Sequence, residues 1–135
     1  MAINRTFFRG ANIDILMERL FDAFSDIIDN PAGLVTQITS VTTGVTLNAT
    51  RGIVTTFSQS AAAGVSSAFT VTNSNAVATS NIRAYIIDYA GVFTTNGIPV
   101  VSVDNRVAGA FDIVVSNGHS VNALSGVLQI GFEIV

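Results

Sequence analysis

The chain has no Cys, no Trp, no Lys, two Pro and a single His in 135 residues. Without Cys there is no disulfide, no thiol nucleophile and no thiolate metal site, and the chain is indifferent to the redox state of its compartment. Without Lys there is no Schiff base and no lysine phosphate clamp; with one His, a histidine-rich metal site is excluded. Charged residues make up only 11% of the chain, and the net charge is −3. The six arginines (Arg5, Arg9, Arg19, Arg51, Arg83, Arg106) are scattered, so the basic stripe of a nucleic-acid binder is missing. No run approaches the eighteen or so apolar residues of a membrane span. The N-terminus lacks the basic-then-apolar layout of a signal peptide, so synthesis in a cytoplasm is expected. No nucleic-acid partner, membrane, metal or cofactor is expected.

What is present is alternation. In Gly126–Val135, Leu128, Ile130, Phe132 and Ile134 fall on one face and Gln129, Gly131 and Glu133 on the other, as a strand period of two requires. Similar runs predict strands at Leu34–Val41, Val45–Leu47, Gly52–Ser58, Ser67–Thr72, Ile82–Tyr89, Pro99–Val103, Ala110–Ser116 and Gly126–Val135. Turn chemistry separates them, as at Thr43-Gly44, Asn73-Ser-Asn75, Asn96-Gly97, Ala108-Gly109 and Asn117-Gly118. Eight short strands with no helical pattern between them predict a mainly β domain over residues 34–135, an antiparallel β-sandwich of jelly-roll or Greek-key type.

Composition changes at Asn30-Pro31-Ala-Gly33, so residues 1–30 form a separate N-terminal arm and helix. Asn12 is a candidate cap, and Leu16, Met17, Leu20, Phe21, Phe24, Ile27 and Ile28 recur at three-and-four spacing. Asp14, Glu18, Asp22, Asp26 and Asp29 fill the opposite face, and Asn30-Pro31 ends the run. Such an amphipathic helix, marginal alone, needs a cover. It packs either on its own β-domain or on symmetry mates or another protein. Ahead of it, Arg5, Phe7, Phe8 and Arg9 have the make-up of a binding arm, because aromatics and Arg dominate interface energetics.

In Asn81–Tyr89 both faces are apolar: Ile82, Ala84 and Ile86 on one, Tyr85, Ile87 and Tyr89 on the other. A strand covered on both sides fits this. The second cover is expected from another subunit, which predicts a homo-oligomer, a trimer. The candidate contact residues are therefore Arg5, Phe7, Phe8, Arg9, Leu16, Leu20, Phe24, Ile27, Tyr85, Ile87 and Tyr89.

The stretches Val45–Thr56, Ser67–Ser74, Gly97–Val103, Ala108–Asn117 and Asn122–Phe132 resemble, in strand-and-turn phrasing, small β-rich virion proteins of tailed bacteriophages. The likeness spans about two-thirds of the chain and contains no catalytic signature. It implies a virion structural protein: a capsid decoration (cement) protein bound to the major capsid protein, or a head-fibre, tail-fibre or tail-tip module. Such proteins assemble as trimers and stabilise a shell through many weak contacts. A carbohydrate-binding sandwich using Tyr85, Tyr89 and Phe93 is a third reading. Enzyme readings are poor. His119 lies in a polar turn; a triad with Ser120 and Asp112 lacks the Gly-x-Ser-x-Gly elbow, and Asp88, Asp104 and Asp112 form a glycosidase pair only if folding brings two of them together.

Overall fold

A computed structural model describes Met17, Arg19, Leu20 and residues 32–135. The chain divides into two compact units, Met1–Pro31 and Ala32–Val135. In the first, Met17, Arg19 and Leu20 are helical, and Met17 and Leu20 are exposed. The rest of the expected helix and arm lies outside the described residues.

The second unit is mainly β, with eight strands: β1 (Gly33–Thr36), β2 (Val45–Thr46), β3 (Arg51–Thr55), β4 (Ser66–Thr72), β5 (Ile82–Tyr89), β6 (Pro99–Val107), β7 (Ala110–Asn117) and β8 (Leu128–Ile134). They form two four-stranded sheets, ordered β1-β3-β8-β5 and β2-β4-β7-β6. The expectation of a wholly antiparallel arrangement is corrected here: β1 runs parallel to β3, and β2 parallel to β4. Parallel neighbours need a long crossover. Each supplies the other's: residues 37–50 leave the first sheet, form β2 in the second and return, and residues 47–65 do the reverse through β3. Among the described residues the only hairpin joining neighbours within one sheet is β6–β7, which turns at Ala108-Gly109, where Gly109 takes the left-handed conformation that favours glycine.

Alternation makes one core between the sheets. Phe69, Val71, Phe111, Ile113 and Val115 of the second sheet join Val54, Leu128, Ile130 and Phe132 of the first in a single buried cluster. The Phe111 and Phe132 rings meet edge to face, with centroids 5.3 Å apart. Gly52 faces this cluster because there is no room for more: a Cβ there would lie 2.5 Å from both Leu47 and Phe132.

The strand ends are closed by backbone bonding. At one end, residues 56–65, 90–98 and 118–127 are stitched together by Gln59 N to Gly126 O, Leu124 N to Ala61 O, Gly97 N to Ala123 O and Ala90 N to Val127 O. The chain enters this unit toward the opposite end: Gly33 sits beside Gly52, which faces Phe132, and Val135 bonds to Asn81.

Candidate functional site

Buried amides hold the loops. Asn117 closes β7 with its side chain 2% exposed. Its Oδ1 accepts from Ile98 N (3.2 Å) and His119 N (3.0 Å), and its Nδ2 donates to Ala61 O (3.0 Å) and Asn122 O (2.8 Å). Both donors and both acceptor sites of the amide are thereby used. Asn73 donates to Ala49 O and accepts from Asn75 N; Gln37 donates to Thr43 O and accepts from Phe57 N. Sequence reasoning reads Asn73 and Asn117 only as turn formers and misses these joints. The one hint is their position, each directly after a strand of strict alternation.

His119 belongs to the same assembly. Its Nδ1 accepts from Val121 N (2.9 Å) and Asn122 N (2.8 Å), which leaves Nε2 as the protonated nitrogen of the neutral ring. Asp112 lies at the far end of β7, roughly 17 Å from Asn117 at strand rise. It accepts from Thr70 Oγ1 (2.7 Å) and Asn105 Nδ2 (3.1 Å). The three members of the paper triad are therefore not brought together. Asp104 and Asp112 are, as direct cross-strand neighbours on β6 and β7, while Asp88 sits in the other sheet. The Asp104–Asp112 pair stands on an open sheet face. Among the described residues no pocket opens, no grouping of His, Asp and Glu could hold a metal ion, and no helix is long and apolar enough to cross a membrane.

The outer faces of the two sheets differ in kind. Across β4-β7-β6 the outward rows are Ser66–Ser116–Val100, Ala68–Val114–Ser102 and Thr70–Asp112–Asp104, mostly small and polar. Across β1-β3-β8-β5 the middle row is Leu34–Ile53–Gly131–Tyr85, all apolar but for the Tyr85 hydroxyl. Leu34 is 75% exposed and Tyr85 44%. The Tyr85 ring lies down over Gly131, where a Cβ would come within 2.4 Å of it; glycine makes room for the aromatic.

Among the expected contact residues, Tyr85 and Ile87 are exposed on this face. Tyr89 is not, which corrects the expectation of one shared face. A bulge between Ile86 and Asp88 inserts Ile87 as an extra residue, so Asp88 pairs outward with Gln129 and Tyr89 inward with Leu128. Tyr89 packs against the core, accepts from Ser125 N at its hydroxyl and meets the Phe93 ring at 5.5 Å. Leu20 is exposed in its helical turn. Arg5, Phe7, Phe8, Arg9, Leu16, Phe24 and Ile27 lie outside the described residues. Compared with known proteins, the chain matches no family model, no curated protein and no solved structure.

Proposed function

We propose that this chain is a structural protein of a tailed-bacteriophage virion, a capsid decoration protein that binds the outside of the head as a homo-oligomer and stabilises it without catalysis. Its two sheets face each other as a sandwich, the architecture of which jelly-roll and Greek-key folds are the all-antiparallel members. Residues 1–30 are its arm and amphipathic helix, and the major capsid protein is its partner.

The observation that carries this reading is the polarity of the β unit. The chain enters it at Gly33 toward the Val135 end, while the opposite end is closed by loops bonded backbone to backbone and tied by the Asn117 amide and the His119 Nδ1. That arrangement suits attachment at one end and passive display at the other. The resemblance in strand-and-turn phrasing supports the same reading. So do the rows Ser66–Ser116–Val100 and Ala68–Val114–Ser102 on the outer face of the second sheet, uncharged and cheap to desolvate.

The test is to label purified virions that contain the chain with an antibody against it. Label over the head is expected, lost when Phe7 and Phe8 are changed to Ala in the full-length chain. Label on the tail would replace this reading with a fibre or tail-tip module, and absence from the particle would sink both.

A further inference from the structure

An exposed apolar row on a sheet face needs an occupant, and the charges around this one indicate which. On the first sheet the row Leu34–Ile53–Gly131–Tyr85 is bordered on one side by Arg51–Glu133–Arg83 and on the other by Thr36–Thr55–Gln129–Asp88. The bulge makes this border symmetric. Arg83 pairs with Glu133 and Asp88 with Gln129, so the cation and the carboxylate of β5 stand two ladder positions from Gly131 in opposite directions. Both are exposed, as are Tyr85 and Ile87 between them. Were Ile87 to take a regular place in the ladder instead of bulging, alternation from Tyr85 would turn the Asp88 carboxylate to the inner face.

We propose that this face binds a second copy of the same chain, turned end for end about the Tyr85–Gly131 row. A twofold contact is self-complementary, so each group must find its complement on an identical surface. Turned this way, Tyr85 meets Tyr85 of the other copy, and Arg83 meets Asp88 at two equivalent places. Glu133 falls over Gln129, so no like charges oppose each other across β5 and β8. A copy turned instead about an axis along β8 would set Glu133 on Glu133, which is unfavourable. The apolar row supplies the desolvated centre and the two ion pairs its rim. The outer face of the other sheet, with Thr70–Asp112–Asp104, offers no such centre. The contact does not depend on the virion reading. It gives the chain an even-numbered association, in place of the trimer expected from its sequence.

The experiment is sedimentation of the full-length chain and three charge variants: Arg83→Asp, Asp88→Arg, and both together. The wild-type chain is expected to form a reversible dimer. Each single change opposes like charges twice and should weaken the dimer by about tenfold. The double change recreates both pairs with the signs exchanged and should restore it. Because all the sites are exposed, far-UV circular dichroism should be the same for the four proteins. A solitary monomer, a trimer, or singles and double that behave alike would each overturn the proposal. None of these outcomes bears on where the chain sits in a particle.

Discussion

At the scale of single residues, the molecule relies on amides where other small proteins use disulfides or metals. Asn117 is buried and fully bonded, and it ties the start of β6, the loop before β4 and the turn holding His119 to one point. Changing it to Ala strands two backbone amides and the Asn122 carbonyl, each costing about 1–3 kcal/mol if it stays dry, while Ala61 O keeps its bond from Leu124 N. Some will reach water at the loop surface. Asn117→Ala is therefore expected to lower unfolding stability by about 3 kcal/mol, read as a drop in the urea midpoint at unchanged slope. A loss below about 1 kcal/mol would mean that the loops hold without the joint. None of this is legible in the sequence, because an Asn before Gly reads as a surface turn and its burial depends on distant carbonyls, such as that of Ala61.

At the scale of elements, the strands are legible and their pairing is not. Period-two alternation depends only on which side chains face the core, so β5 and β7 fall where alternation in Ile82–Tyr89 and Ala110–Ser116 places them. β1 and β3 end sooner than expected because Gln37 and Thr56 turn inward to bond the backbone, at Thr43 O and Leu128 N. Parallel pairing of β1 with β3 leaves no local mark, since it is set by the strand that each crossover contributes to the opposite sheet. The β5 bulge escapes pattern reading for a related reason: Ile86-Ile87 offers two equivalent side chains, and only the Gln129 and Leu128 partners decide which is extra. This leads to a test. Deleting Ile87 leaves Tyr85 outward, Ile86 inward, Asp88 outward and Tyr89 inward, in regular register with β8. The shortened chain should fold with a stability change within about 1 kcal/mol, whereas deleting Val114 from β7, which turns half the strand inside out, should unfold it. Equal damage from both deletions would show that the bulge is needed for the sheet itself. If face pairing holds, the Ile87 deletion should keep the dimer too, because Arg83 and Asp88 retain their places about Tyr85.

At the scale of the whole β unit, one core implies one cooperative unit, and the arginines give a way to measure it. In a chain without Lys, trypsin cuts only after Arg. Arg51 lies in β3 and Arg83 in β5, on either side of β8, and both pair with Glu133. A protease needs an extended, unpaired segment, so cutting at either site requires the strand to leave the sheet. Val54 of β3 and Ile82 of β5 are buried in the same cluster as Phe132 of β8, so neither strand can leave without opening that cluster. Cleavage should then follow the population of the globally unfolded state when reclosing outpaces cutting. The expectation is that Arg51 and Arg83 are cut at equal rates in the native protein, and that Asn117→Ala, far from both, accelerates both together by about a hundredfold, as a loss of about 3 kcal/mol requires. Peptide masses followed over time distinguish the sites. If Arg83 is cut much faster than Arg51, or alone fails to respond to Asn117→Ala, then β5, the edge strand, opens by itself, and the face carrying Tyr85 is a local element that a second copy must hold in place.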